Sequence, residues 1–416
     1  IKDYIQHQIA VCYIRTFDYN EAAAHFGQRD LYKSYPEDLY HLGVAQMNIK
    51  DYEAAIKTFD EYIKSDTYSD SLLRSAQLSI TGSYYALDTN NEKTKVVVKI
   101  ADTSVFNKGT SAFAPMFFGN NRRIMFTSAQ DGGVILDPEK QDSKYLCDLY
   151  WTEMGADEKW SSPRNFGRPL NSAQHDAASS LSKNNVMYFT RWNDEDRSEQ
   201  HIYLARMVDL KFYESFQLPA AVNLPGYRSI NPYVADNGID LYFSSNRPGG
   251  EGGMDLWKIK LDETGNVVGD AENMGSTINT ELDEVAPFYH TVSSVLFYSS
   301  NGLNSIGGLD IFKASYNRQN RAYDAPVNMG LPINSSQDDA YIIWDPMMHK
   351  GFFSSDRAPC ENGHCYDIYE ITNEPIVIRL EGYVYNIDTD EILANSNLSF
   401  KDIDFKFDDF ELKSDE

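Results

Sequence analysis

The sequence predicts a multidomain chain with α and β parts: helical repeats over residues 1–94, a five-bladed β-propeller over 95–373, and a third, strand-bearing segment over 374–416. Three observations lead there. A helical motif recurs at a spacing of 33 residues, and an alternating motif recurs five times at spacings of 53 to 57. The third is a strand ahead of the first alternating copy that the last copy lacks. Self-similarity at a fixed period identifies repeat architectures, because each unit buries its apolar face only against a neighbour.

In the helical part, Tyr19, Ala22 and Phe26 recur as Tyr52, Ala55 and Phe59. Asp18 and Asp51 each stand just ahead, where helices start, and Leu42-Gly43 marks a close approach on the preceding helix. A further helical stretch, Ser71 to Leu87, caps the stack. These residues resemble the tetratricopeptide repeat over about 1–66, with Gly43, Ala55 and Phe59 at its small, small and aromatic positions. The pattern departs at Leu39, where an aromatic is expected. Apolar stripes at helical spacing are read as core.

From about Lys95 the period becomes alternating. Phe243, Tyr298 and Phe353 stand 55 apart, each ahead of a Ser-Ser pair, with earlier copies at Phe126-Thr127-Ser128 and Phe189-Thr190. A second strand follows each copy, opening at Asp148, His201, Asp255, Asp310 and Asp367. Between them lie glycine turns such as Pro248-Gly249-Gly250, and later strands end in Asn273-Met274-Gly275 and Asn328-Met329-Gly330. About 55 residues carrying four short strands make one propeller blade. Asn107 precedes Pro115 by 8 residues, as Asn279 precedes Pro287, so Asn107 ends a repeat whose beginning is missing. Val96–Ile100 then supplies the outer strand of the fifth blade and closes the ring, removing an exposed edge. A sixth blade requires residues beyond this sequence.

Leu241 to Gly250, through Asp255-Leu256-Trp257, resembles the PD40 or WD40-like repeat, and the resemblance covers about 95–372. It departs in the second copy, where Arg191-Trp192-Asn193-Asp194 replaces the glycine turn. The stretch from Leu380 to Asn395 is similar to the opening of a carboxypeptidase-regulatory-like domain, which implies a partial β-sandwich over 374–416. This domain order resembles the PorE-type envelope proteins of the Bacteroidetes type IX secretion system. The resemblance implies a periplasmic location associated with the outer membrane, a lipid anchor, and envelope or secretion-system proteins as partners. Peptidoglycan is implied only through an OmpA-like domain that this sequence does not contain.

With 37 Lys and Arg against 62 Asp and Glu, the net charge of −25 repels phosphate backbones, so nucleic acid is excluded as a partner. No run approaches the roughly 18 apolar residues of a membrane-spanning helix. The first residue, Ile1, falls directly in helical pattern, which is read as a leader removed or not shown. Cys360 and Cys365 flank a short polar loop and read as a disulfide hairpin of an oxidising compartment. Two free thiols, or a metal site with His364, are the alternatives.

The sequence contains no nucleophile elbow, zinc-helix motif, phosphate loop or dinucleotide fingerprint. The acid pairs Asp283-Glu284 and Asp338-Asp339 recur at an offset of 55, which reads as blade structure rather than a glycosidase pair. The expectation is a chain without catalytic residues, metal or cofactor. Arg247 and Arg357 occupy equivalent positions and read as structural, each satisfying a repeated aspartate. Arg191, Trp192 and Arg197, in the copy that departs from the repeat, are the candidates for binding a partner. The function expected is a non-catalytic envelope scaffold. The alternative is a glycan- or peptide-binding module in the same compartment, which an exposed row of aromatics across the funnel of the ring would favour.

Overall fold

Capping aspartates 33 residues apart start equivalent helices. In the computed structural model, which describes residues 2–28, 34–65, 69–88, 96–130, 146–192, 199–209, 211–358, 365–373, 383–400 and 410–413, α1 (Lys2–Arg15) precedes α2 (Tyr19–Phe26), and α3 (Asp38–Asn48) precedes α4 (Tyr52–Lys64). Asp18 accepts from the Glu21 amide at 3.2 Å, and Asp51 accepts from the Ala54 amide at 3.2 Å. Each carboxylate satisfies a donor that a helix start leaves free. Just ahead of the caps, Phe17 and Lys50 take φ of 60° and 66°. Ala22, Ala55, Phe26 and Phe59 are all fully buried. A Cβ at Gly43 would lie 2.6 Å from the Phe59 ring, so glycine is what lets α3 and α4 approach. α5 (Asp70–Leu87) follows. The described helical segment thus consists of five helices with a 33-residue internal repeat.

After β1 (Val96–Ile100) come five antiparallel sheets arranged as blades. Blade 1 is β2 (Ser111–Phe118), β3 (Asn120–Ala129), β4 (Asp148–Glu153) and β5 (Arg164–Asn165). Blade 2 is β6 (His175–Leu181), β7 (Val186–Trp192), β8 (His201–Val208) and β9 (Lys211–Gln217). Blade 3 is β10 (Ser229–Val234), β11 (Asp240–Ser245), β12 (Asp255–Leu261) and β13 (Val267–Asn273). In blade 4, β14 (Glu284–His290), β15 (Val295–Ser300) and β16 (Asp310–Asn317) are followed by β17 (Ala322–Tyr323) and β18 (Val327–Asn328), which both pair with β16. Blade 5 has β19 (Asp339–Trp344), β20 (Lys350–Ser355) and β21 (Asp367–Asn373), and its outer strand is β1, paired from Val96 against Asn373 to Ile100 against Tyr369. The chain contains a five-bladed propeller whose ring is closed by the strand that precedes its first blade.

One asparagine per blade explains the regularity. Asn171, Asn223, Asn279 and Asn334 each accept from the amide, and donate to the carbonyl, of one residue on the third strand: Leu149, Ile202, Leu256 and Ile311. Asn107 does the same to Ile368, at 2.8 and 3.0 Å, across 261 residues of sequence. It ends blade 5, as its register with Pro115 implies.

The inner strands share a second device. Each carries a bulge whose residue has positive φ: Ala114 (52°), Ala178 (46°), Asn231 (53°), Ala286 (53°) and Tyr341 (59°). Backbone in this region is unfavourable for side chains other than glycine and is held by its surroundings. Here the neighbouring blade holds it. The amides of Ala178, Asn231 and Ala114 donate to Thr127 Oγ1, Thr190 Oγ1 and Ser354 Oγ at 2.9, 3.1 and 3.1 Å. In three of the five blades the Ser or Thr after the motif aromatic, Thr127, Thr190 or Ser354, thus stitches its blade to the next. Phe126, Phe189, Phe243, Tyr298 and Phe353, the repeated aromatics, are fully buried.

The helices contact the face of the ring on which the inner strands begin, over blades 4 and 5. Ser336 Oγ donates to the Asn48 carbonyl at 2.9 Å, Tyr85 Oη donates to the Asn328 carbonyl at 3.0 Å, and Gly82 abuts the Ser305 carbonyl so closely that no Cβ fits. Helices and ring belong to one compact unit, Ile1–Asn373, and Glu374–Glu416 is a second. Within that second unit β22 (Asn397–Phe400) pairs with β23 (Phe410–Lys413), and Tyr385 bridges Ile392 around a turn. Among the described residues of this unit the sheet is the two-stranded ladder of β22 and β23, and residues 374–382 and 401–409 of the expected partial sandwich lie outside the described residues.

Candidate functional site: an aromatic funnel

The five bulges bring side chains from distant parts of the sequence around the ring axis. On the face where the inner strands begin lies an open funnel of about 600 Å³. Its wall includes four half-buried rings: Phe113 from β2, Trp192 from the end of β7, Tyr341 from the bulge of β19, and Tyr366 just ahead of β21. Phe113, Tyr341 and Tyr366 form a mutual cluster with centroids 5.7, 6.2 and 6.4 Å apart. Opposite, Trp192 stacks on His175 at 4.8 Å and 9°. Stacking of this kind fixes a ring at low entropic cost and leaves its other face for a ligand.

Polar groups sit between the rings. Asn231, only 7% exposed, donates from Nδ2 to Tyr341 Oη at 3.2 Å, while its Oδ1 has no partner among the described residues. A buried acceptor without a donor costs on the order of 1–3 kcal/mol, so it is a position where a ligand donor gains most. His175 Nδ1 accepts from the Cys147 amide at 3.1 Å. Tyr366 Oη donates to Asp338 Oδ2 at 3.0 Å, which anchors that ring from behind. Burial pushes the Tyr341 hydroxyl up to about 12, so it stays protonated as donor and acceptor at neutral pH. A second cavity, of about 430 Å³, lies between the helices and blades 4 and 5, with Tyr19, Tyr40 and Asp338 in its wall.

Of the partner-binding candidates, Trp192 faces the funnel, Arg191 does not, and Arg197 lies outside the described residues. Strand alternation separates the first two. Arg191 donates to Asp176 at 2.6 Å and to the carbonyls of Pro169 and Leu170, and its guanidinium stacks on Phe189 and Tyr203. Arg247 donates to the carbonyls of Ala221 and Val222 and stacks on Phe243 and Trp257. Arg357 repeats this with the carbonyls of Pro332 and Ile333, with Phe353 and Tyr369, and with Asp339. Three arginines, Arg247 and Arg357 at one offset from the motif aromatic and Arg191 at another, thus build one clamp in three blades, and Arg191 is committed to packing. Arg357 pairs with Asp339, one of the repeated acids, whereas Arg247 donates to carbonyls and to no aspartate among the described residues. Cys365 is disulfide-bonded and the exposed Cys12 carries a free thiol; Cys360 lies outside the described residues. Among the described residues no group of side chains has the make-up of a metal site.

The repeated acids anchor turns. Asp176 accepts from Ser172, Glu284 from Thr280 and Ser300, and Asp339 from Ser335. Among the described residues no cation lies against Glu284, and burial pushes it up to about 7. The residues that sequence reasoning missed are Phe113, Asn231, Tyr341 and Tyr366. A signal existed for two of them: at the bulge, three blades carry Ala, whereas blades 3 and 5 carry Asn231 and Tyr341.

The fold and site define a five-bladed propeller with an aromatic-lined axial funnel. No family model matches the chain, and no curated protein matches it. Among solved structures it is similar to an alpha-L-arabinofuranosidase from Podospora anserina in complex with cellotriose (11% identity, TM-score 0.42, 64% of this chain and 91% of that one). It is also similar to alpha-L-arabinofuranosidases from Lactobacillus brevis (9%, 0.40, 67% and 92%) and from Clostridium thermocellum (14%, 0.39, 70% and 94%). Likeness at this level extends to the fold alone.

Two expectations are corrected here. The chain was expected to be a non-catalytic scaffold for a secretion assembly, and not an enzyme. The solved structures it is similar to include glycoside hydrolases, and the funnel carries four half-buried rings, which favours the glycan- or peptide-binding alternative named above. Neither expectation is kept.

Proposed function

We propose that this protein binds carbohydrate in the axial funnel of its propeller. The observation that carries the reading is the combination of four half-buried rings with the buried, unpartnered Asn231 Oδ1. A sugar presents apolar C–H faces that stack on rings and hydroxyls that donate to an amide oxygen. A concave site with mostly apolar walls and a few placed polar groups suits such a ligand. We also propose a location outside the cytoplasm, supported by the disulfide at Cys365. The PD40-like copies and the helices ahead of them support a place among Bacteroidetes envelope proteins resembling the PorE type, without the assembly role. The 33-residue repeat and the Gly43–Phe59 contact support the tetratricopeptide reading of the helices.

The test is calorimetric titration of the full chain with neutral arabino-, xylo-, cello- and malto-oligosaccharides, alongside the Trp192→Ala variant. At least one series is expected to bind, and the variant to weaken it tenfold or more at unchanged circular dichroism. Reducing-end release from the same sugars, followed in parallel, tells a binding site from a hydrolytic one. Absence of binding by every series, or equal binding by the variant, refutes the reading.

A further inference from the structure

The funnel is blind. Below it the five bulges converge, and the space between them, bounded by Ala114, Ala178, Asn231, Ala286 and Tyr341, is about 20 Å³. That holds one water, since about 10–15 Å³ is the minimum for one. Beyond the constriction the opposite mouth is a separate pocket of about 120 Å³ with Tyr233, His290 and Trp344 in its wall. A polymer therefore cannot thread the axis. Asn231 lies at the bottom of the funnel, because it belongs both to the funnel wall and to the constriction. The described wall carries no Asp, Glu, Lys or Arg, and the Asp338 carboxylate behind Tyr366 adds negative potential to that side.

On these grounds, and resting on the carbohydrate reading above, we infer that the funnel seats the end of a neutral oligosaccharide, with a hydroxyl of the terminal unit donating to Asn231 Oδ1. The rings at the mouth stack on the units that follow. An internal stretch of a polymer crosses the mouth without reaching the amide, and an anionic end meets the Asp338 side unfavourably.

The experiment uses the full chain and whichever neutral series binds in the titration above. The trimer and hexamer of that series are expected to bind within about threefold of each other per molecule, because one end fills the site whatever the length. Blocking the correct end, by reducing the reducing terminus or methylating the non-reducing unit, is expected to weaken binding at least tenfold. Blocking the other end leaves it unchanged. Asn231→Gly tolerates the φ of 53° and removes the acceptor, so a tenfold loss is expected at an unchanged melting temperature. Asn231→Asp, which keeps an acceptor oxygen, should retain most of the affinity. Hexagalacturonate is expected not to bind. Tolerance of both blocked ends, affinity that climbs steadily from trimer to hexamer, or full binding by Asn231→Gly overturns the inference while leaving the carbohydrate reading standing. Failure of every sugar removes both.

Discussion

Consider replacing Asn334 by alanine. Its side chain is fully buried and makes three hydrogen bonds: from the Ile311 amide at 2.8 Å, to the Ile311 carbonyl at 2.9 Å, and to Asn328 Oδ1 at 2.8 Å. Alanine leaves the Ile311 amide without its partner in a place water does not reach, while the Ile311 carbonyl keeps the Met329 amide at 3.0 Å. Asn328 Oδ1 keeps the Gly330 amide at 2.7 Å, so that loss is small. One orphaned backbone group at roughly 1–3 kcal/mol puts the cost near 2 kcal/mol. The half-buried Asn107 makes the same clasp, and water compensates part of its loss, so Asn107→Ala should cost about half as much. Its effect should nonetheless concentrate elsewhere, because it ties β21 to the segment after β1. Urea unfolding gives the magnitudes, and amide exchange gives the location. Asn334→Ala should raise exchange throughout blade 4, and Asn107→Ala mainly along Val96–Ile100 and Tyr369–Asn373. A cost under 1 kcal/mol for Asn334→Ala, or uniform exchange in both variants, would refute the idea that these asparagines hold the ring.

The buried Glu284 carboxyl sets a pH dependence. Glu284 is pushed from 4.5 to about 7 by burial, so between those values the folded state keeps a proton that the unfolded chain releases, and stability falls as pH rises. The span is worth about 3 kcal/mol, and Glu284→Gln should flatten that part of a urea-midpoint profile between pH 5 and 8. Arg357→Met strips the buried Asp339 of its cation and two carbonyls of their donor; about 3 kcal/mol is expected, more than for Arg247→Met, whose partners include no carboxylate. Equal losses would show that the carbonyls alone matter. Gly43→Ala should cost about 1–3 kcal/mol by pressing a methyl against Phe59, read as a lower melting temperature together with loss of helical signal.

Much of the ring was legible because a propeller repeats its local contacts. The spacing of Asn107 and Pro115 predicted closure by Val96–Ile100, since the same asparagine clasps the same strand in every blade. The paired acids were also legible as structure, because they anchor equivalent turns. The second blade was misread. Arg191 looked like a departure, yet it reaches the same carbonyls as Arg247 and Arg357 from a different offset along the chain, which spacing alone does not reveal.

The sequence by itself determined the units that neighbours in the chain build: a helical repeat of 33 residues, five sheets with shared caps and clasps, and the strand that joins last blade to first. Those depend on contacts within one period, which recur and so can be read. Only the tertiary structure decided the funnel. Phe113, Trp192, Asn231, Tyr341 and Tyr366 come from four blades and meet because five bulges turn toward one axis, three of them at alanines whose positive φ no glycine announces. A site on the symmetry axis belongs to the closed ring, and no single repeat contains it.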